Sequence, residues 1–250
     1  MNKPIAALQL YTVRDFAEKD LQGTLAEVKA MGYDAVELAG MYGKSAPALK
    51  AALDEAGLSA VSAHVQIHAF KEDPAGTVEA YKTVGCKYIG IPWMETAALP
   101  GGENWEKSKA LLEEINGLCE KADIKLMYHC HAHEFAKLPN GQYILDQLFI
   151  EIPQLDNEID SGWVDSVGID PAIYIRKYAG KVPVIHLKDT DRNVKQDRPV
   201  GQGTQNMREI TKAAEESGTQ VLVAELDEAV GMTSLEAARQ SREYLKSLGY

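Results

Sequence analysis

The chain has 250 residues, a length that suits one large α/β domain with a sizeable core. Its formal net charge of -11 argues against a surface for duplex nucleic acid, which needs clustered Lys and Arg. No apolar run is long enough for a signal peptide or a membrane span, and the cysteines, Cys86, Cys119 and Cys130, lack the paired spacing of a disulfide framework. We therefore expect a cytoplasmic protein with no nucleic-acid or membrane partner.

In chain order, short β-like runs alternate with amphipathic helical runs. Strands are predicted at 5–11, 35–38, 59–65, 88–91, 124–129, 155–160, 182–187 and 220–226. Helices are predicted at 21–31, 46–56, 74–83, 105–122, 143–150, 171–178, 207–217 and 235–248. Gly32, Gly57 and Gly85 are typical of helix ends, and Pro74 suits a first helical turn.

This alternation predicts the fold class. Eight strand–helix units in 250 residues match an α/β fold of the (β/α)₈ or TIM-barrel type, whereas a doubly wound sheet more often stops at five or six strands. No linker rich in Pro, Gly or Ser divides the chain. We predict a single barrel domain over residues 1–250.

Side chains capable of binding a metal or moving a proton follow four consecutive predicted strands. The densest stretch is YHCHAHEF at 128–135, with three imidazoles and Glu134, and the next three strands end near Asp160, His186 and Glu225. In a parallel barrel these strand ends meet at one rim, where ligands bind. Three carboxylates and one imidazole favour a hard or borderline divalent ion such as Mn²⁺ or Mg²⁺.

The chain also resembles a known family along its whole length. YHCHAHEF is similar to the YHNHxxEF signature of the sugar phosphate isomerase/epimerase group within the xylose isomerase-like TIM barrels. Further similar segments are LQLYTVRD at 8–15, GYDAVELAG at 32–40, SAHV at 62–65, DSGWV at 160–164, HLKD at 186–189 and AELD at 224–227. The resemblance implies a small sugar substrate and a divalent metal, often Mn²⁺ with Mg²⁺, Co²⁺ or Zn²⁺ as alternatives, held by Glu134, Asp160, His186 and Glu225.

The chemistry follows from these groups. Isomerising or epimerising a sugar next to its carbonyl requires removal of a carbon-bound proton, and a cation stabilises the enediolate that results. The resemblance implies Glu134 and Glu225 as the acid/base pair. We expect sugar contacts from residues at or just past strand ends, namely Glu37, His64, His131 and Lys188, and an apolar wall from Trp163 and Trp93.

Two departures from the family signature leave alternatives open. Cys130 stands where the signature has Asn, and His133 completes a His-x-His-x-His pattern with His129 and His131 that would suit a three-histidine zinc site on a continuing strand.

A lyase or dehydratase acting on a keto-sugar or keto-inositol would begin with the same enediolate. A zinc-dependent nuclease resembling apurinic-site endonucleases, a non-catalytic sugar-binding module and a homo-oligomer are further possibilities.

Overall fold

Eight parallel strands close into a barrel in the computed structural model, which describes residues 3–250. The strands of the barrel are β1 (Ile5–Gln9), β2 (Ala35–Leu38), β3 (Ser59–His64), β4 (Tyr88–Ile91), β5 (Lys125–His129), β6 (Asp156–Asp160), β7 (Val184–Leu187) and β10 (Val221–Ala224). Neighbours along the chain pair side by side, and β1 closes the ring by pairing with both β2 and β10. The predicted TIM-barrel fold is confirmed.

Helices follow the strands and surround the barrel. They are α1 (Arg14–Ala17), α2 (Leu21–Ala30), α3 (Ala46–Ala56), α4 (Pro74–Val84), α5 (Trp105–Lys121), α6 (Ile144–Glu151), α7 (Ser161–Ser166), α8 (Pro171–Lys177), α9 (Met207–Glu216) and α10 (Ser234–Ser247). No helix within residues 3–250 combines the length and the apolar character that a membrane span needs.

Local sequence explains where several helices begin and end. The side chains of Asp20 and Asp73 accept hydrogen bonds from backbone amides in the first turns of α2 and α4, and a cap of this kind contributes about 1 kcal/mol. Gly57 and Gly85 follow α3 and α4 with positive φ angles of 71° and 107°, a conformation that glycine adopts without the strain of a Cβ. These short-range signals fix the spacing between successive strands.

The barrel interior changes from apolar to polar along its axis. One buried cluster contains inward-facing residues from five strands, namely Ala7, Ala35, Met127, Val184, Val221 and Val223. Two positions further along the same strands, and so on the same face, stand polar residues: Gln9, Glu37, His129, His186 and Glu225. The apolar layer supports a polar layer at the carboxyl ends of the strands.

The structure adds short elements to the predicted ones and shortens some of the predicted strands. A short antiparallel hairpin of β8 (Asp189–Asp191) and β9 (Gln196–Arg198) follows β7, and the short helices α1 and α7 begin close behind β1 and β6. The last barrel strand is shorter than predicted, with Glu225 just beyond its end. The hairpin lacks an apolar alternation, so its sequence resembles a loop.

Candidate active site

Strand register places Glu37 at the centre of the polar layer. Glu37 lies opposite Gln9 on β1 and Ser62 on β3, and its carboxylate accepts hydrogen bonds from Gln9 Nε2 at 2.6 Å and Ser62 Oγ at 2.5 Å. His186 Nε2 lies 2.7 Å from Glu37 Oε1. The Glu37 side chain is fully buried, so protein groups use its hydrogen-bonding capacity.

A second buried carboxylate, Glu158 of β6, lies among three imidazoles. Its Oε2 is 2.8 Å from His64 Nε2 and 3.5 Å from His129 Nδ1, and its Oε1 is 3.4 Å from His186 Nε2. Gly90 on β4 leaves the room for this group, because a Cβ there would lie 2.7 Å from Glu158 Oε2. Glu37 and Glu158 together form what we call the inner carboxylates.

A second constellation, nearer the strand ends, brings together three of the four predicted metal ligands. His129, Asp160, His186 and Glu225 each offer one ligand atom, and these atoms all lie within 4.8 Å of one another. We call these four residues the outer set. Asp160 Oδ2 is buried and has no hydrogen-bond partner within residues 3–250. Two imidazoles and two carboxylates, one of which has an unpartnered oxygen, fit a divalent cation.

Burial and neighbouring charges set the protonation of the outer set. Burial favours the neutral form of Glu225, but Lys188 and His186 outweigh it and hold the pKa of that carboxyl well below its usual range. Burial, with a smaller contribution from the Glu225 carboxylate, raises the pKa of Asp160 to about 7 against the opposing charge of Lys188. Burial and the nearby His186 lower the pKa of His129 to about 3, so its imidazole is neutral and can donate a lone pair.

Lys188, predicted to contact the sugar, lies against three carboxylates. Its Nζ is 2.7 Å from Asp227 Oδ2, 3.3 Å from Glu225 Oε2 and 3.5 Å from Asp160 Oδ2. It also lies 5.0 Å from the ring centre of Trp163. The ammonium group therefore neutralises part of the negative charge of the outer set.

Glu134, the fourth predicted ligand, lies in a different environment. It belongs to a single helical turn after β5, where its carboxylate accepts hydrogen bonds from the Tyr128 hydroxyl at 2.7 Å and the His131 backbone amide at 2.8 Å. It is fully buried, and the outer set has His129 as its β5 member instead. The structure thus does not group Glu134 with the other three, and its metal and acid/base roles stay predictions.

Most of the predicted sugar contacts line two adjoining cavities. The first, of about 710 Å³, is lined by His64, His131, Lys188 and Glu225, together with Trp93. The second, of about 900 Å³, shares Lys188 and is lined by Trp163. The Trp163 and His131 rings lie 5.2 Å apart, between centres. Glu37 alone among these predictions has no exposed surface, and its contacts favour a supporting role.

Cys130 and His133, the two residues that depart from the family signature, both form hydrogen bonds within the protein. The buried Cys130 thiol accepts a hydrogen bond from the Asp160 amide at 3.3 Å. His133 Nε2 lies 3.0 Å from the Met94 carbonyl oxygen, which favours donation from this nitrogen. Both metal-capable groups found among the described residues include His129 but neither His131 nor His133, so the three-histidine alternative gains no support.

Two residues of this site, Glu158 and Asp227, were not predicted, and His129 was predicted as a ligand only in the three-histidine alternative. Each lies two positions from a predicted residue on the same strand or at its end. Counting in twos along each strand would have found them, because alternate residues face the same side. The signal in the sequence is therefore the presence of polar residues at alternate positions near the strand ends.

Comparisons with known proteins agree with the fold. The chain is 24% identical over 196 residues to inosose dehydratase from Geobacillus kaustophilus, which covers 68% of this chain and 62% of that protein. It thus spans less than two thirds of the curated relatives that it matches.

A solved sugar phosphate isomerase/epimerase from Parabacteroides distasonis superimposes with a TM-score of 0.81 at 23% identity, covering 98% of both chains. The structure of L-ribulose 3-epimerase gives a TM-score of 0.75 at 14% identity, covering 98% of this chain and 94% of the other. Residues 25–248 match the sequence family described as xylose isomerase-like TIM barrel. The chain therefore belongs to the xylose isomerase-like TIM barrel family, as its motifs predicted.

Proposed function

We propose that this chain is a divalent-metal-dependent isomerase or epimerase of a small keto-sugar. The observation that carries the proposal is the outer set, in which two carboxylates and two imidazoles converge beside a cavity large enough for a sugar. Family membership supports the same reaction class. Cytoplasmic location, the absence of nucleic-acid and membrane partners, and a homo-oligomeric state stay predictions.

The metal would be held by Asp160, His186 and Glu225, with Glu134 or His129 as the fourth ligand. A divalent cation, which we propose is Mn²⁺, would stabilise the negative charge that develops on the substrate oxygens when a carbon-bound proton leaves. Proton transfer and binding of the sugar hydroxyls would be carried out by the side chains that surround the cavity.

Proton transfer requires a charged carboxylate that faces the substrate. Glu225 lines the cavity, and its lowered pKa keeps it ionised at neutral pH, so it can accept a proton. Glu134 is proposed as its partner for returning a proton to the opposite face. The neutral His131 imidazole, whose pKa burial lowers to about 2, can hydrogen-bond a sugar hydroxyl beside them.

A dehydratase is the second candidate. The relative at 24% identity is named inosose dehydratase, and removal of the same proton can be followed by loss of a hydroxyl group instead of reprotonation. The nuclease alternative is disfavoured by charge, since carboxylates outnumber Lys and Arg in both cavity linings.

The two candidates separate in deuterated water. The protein is incubated with Mn²⁺ and a panel of ketoses and keto-cyclitols, and the products are identified by NMR and mass spectrometry. An isomerase or epimerase exchanges a carbon-bound proton and otherwise conserves mass, whereas a dehydratase loses water. Absence of both changes across the panel would contradict the proposed function.

Asp160→Asn and Asp156→Asn form a matched pair for this assay. Both aspartates are buried on β6, but Asp156 lies at the opposite end of the strand, 3.4 Å from each of Lys125 and Lys181. We expect Asp160→Asn to lose metal binding and exchange together, and Asp156→Asn to keep both. Equal activity in the two variants would remove Asp160 from the site.

A further inference from the structure

We propose that the substrate of this site is an uncharged polyhydroxy ketone, either a free keto-sugar or a keto-cyclitol, and not its phosphate ester. The inference rests on the proposed function and adds the substrate class to it. It depends on how the protein has already used the groups that would bind a phosphate.

The lysine that lines the smaller cavity is the first such group. Among the residues of 3–250 that line the cavity of about 710 Å³, Lys188 is the sole Lys or Arg. Its Nζ already lies 2.7 Å to 3.5 Å from the carboxylates of Asp227, Glu225 and Asp160. A phosphate group would have to compete with three carboxylates for one ammonium group.

Backbone amides after the last strands are the second group. In TIM barrels the loops after strands seven and eight frequently bind phosphate. Here the amides of Gly201, Gly203 and Gln205 all point to the carboxylate of Asp189, at 2.9, 2.9 and 3.3 Å. Gly203 packs so closely that a Cβ there would lie 2.1 Å from Asp189 Oδ1. The protein's own carboxylate therefore occupies this anion-binding loop.

The amides that follow β6 are used in the same way. Asp160 Oδ1 accepts hydrogen bonds from the Gly162 and Trp163 amides at 2.7 and 3.0 Å, which caps α7. In the adjoining cavity Arg192 forms a two-pronged ion pair with Asp165. A carboxylate of the chain itself thus occupies the loop at 201–205, the amides after β6 and the Arg192 guanidinium.

The charge of both cavities disfavours an anionic substrate. Two carboxylates and one Lys line the smaller cavity, and six carboxylates against three Lys and Arg line the larger one. A phosphate dianion brought beside these carboxylates is repelled by their like charge. The hydroxyl groups of an uncharged sugar, in contrast, donate hydrogen bonds to carboxylates. Its apolar C–H faces can stack on aromatic rings such as those of Trp93 and Trp163.

Binding of matched ligand pairs tests the inference without relying on turnover. Ketopentoses, ketohexoses and keto-cyclitols are each paired with their monophosphate and titrated calorimetrically into the Mg²⁺-loaded protein. Because the cation itself attracts phosphate, this condition works against the inference. We expect at least one free compound to bind about 10-fold or more tighter than its ester, and inorganic phosphate not to compete with it.

A panel in which no free compound binds more tightly than its ester overturns the inference. The proposed function fails by a different result, namely the absence of proton exchange and of dehydration with any ligand. The two failures are distinguishable because one is read from affinity and the other from chemistry.

Asp227→Asn provides a variant whose effect has a predicted direction. Asp227 is part-exposed and makes the shortest ion pair of Lys188, so its neutralisation should free the ammonium group for a phosphate. We expect the affinity ratio of ester to free compound to rise about 10-fold. Asp191→Asn removes a charge from the larger cavity without freeing Lys188, and it should leave this ratio unchanged. An equal rise in both variants would show that Lys188 does not set the preference.

Discussion

His186 joins the two parts of the polar layer through its two ring nitrogens. Nε2 lies 2.7 Å from Glu37 and Nδ1 lies 2.9 Å from Glu225. A metal-ligating imidazole commonly donates its other N–H to a carboxylate, which fixes the ring orientation and the tautomer. Glu37 is placed to do this, which accounts for its complete burial better than a contact with substrate does.

Substitution of Glu134 tests the one predicted ligand that lies apart from the outer set. If Glu134 takes part in proton transfer, Glu134→Gln should slow exchange roughly 10²- to 10⁴-fold. The measurement is the rate of deuterium incorporation at saturating metal. Tyr128→Phe removes the 2.7 Å hydrogen bond to Glu134 but keeps the carboxylate, so exchange should persist at a reduced rate. Wild-type exchange in Glu134→Gln would exclude this residue from the mechanism.

Gly90 tests the packing of the inner carboxylates. In Gly90→Ala the new methyl group would lie 2.7 Å from Glu158 Oε2 and 3.1 Å from His64 Cδ2, so at least one of these side chains must move. Because the moved groups contact the imidazoles of the outer set, we expect metal affinity to fall about 10- to 100-fold. Titration with Mn²⁺ measures this.

Gly117→Ala is the control for Gly90→Ala. Among residues 3–250, no atom outside its own helix lies within 4 Å of the added methyl in α5, and Ala is preferred to Gly in a helix by about 0.5–1 kcal/mol. This variant should gain stability and keep its metal affinity. Unchanged metal affinity in Gly90→Ala would show that Glu158 and His64 have no influence on the ligands.

At the scale of elements, local patterns predicted the barrel strands and most helices. β10 is an apolar run buried on both faces, and β7 is similar apart from His186. Gly57 and Gly85 end their helices as their sequence indicates. The β8–β9 hairpin was not predicted because its stability comes from distant contacts, such as those between Asp189 and the glycine loop. For the same reason the sequence could place Glu134 after β5 but could not tell which way its carboxylate turns.

Asp146 links two neighbouring helices and makes their packing sensitive to pH. From α6 its carboxylate accepts hydrogen bonds from the Tyr174 hydroxyl at 2.8 Å, the Tyr178 hydroxyl at 2.5 Å and Lys177 Nζ at 2.5 Å. Burial would raise the pKa of Asp146, but these three partners outweigh it and lower the pKa below 3.8. The ionised carboxylate therefore stabilises the fold above pH 3.8, and this contribution is lost as the pH falls through the lowered pKa.

Asp146→Asn should lower the free energy of unfolding by about 1–3 kcal/mol at pH 7. The difference from the wild type should shrink as the pH drops below 3.8. Urea denaturation at several pH values measures both quantities. Asp54→Asn, which removes an exposed ion pair with Lys50, should cost under about 1 kcal/mol. A pH-independent difference for Asp146→Asn would show that its charge is not the cause.

At the scale of the whole molecule, the outer set couples separate parts of the chain. Its residues lie on or directly after β5, β6, β7 and β10, and they come together only when the barrel closes. Buried carboxylates in close contact repel one another, and burial of Asp160 raises its pKa to about 7. A divalent cation would relieve this repulsion in the folded state alone.

Metal binding should therefore stabilise the fold. A ligand that binds only the folded state at 100 times its dissociation constant adds about 2.7 kcal/mol to the free energy of unfolding. For a chain of this size that corresponds to a rise in Tm of about 5–10 °C. Thermal unfolding followed by circular dichroism with Mn²⁺, with Mg²⁺ and with EDTA measures the effect, and EDTA should reverse it. Asp160→Asn should reduce the shift strongly while Asp156→Asn keeps it, because Asp160 alone of the two lies in the outer set. The same shift in both variants would place the stabilising ion elsewhere in the molecule, and no shift at saturating metal would contradict a cation site in the barrel.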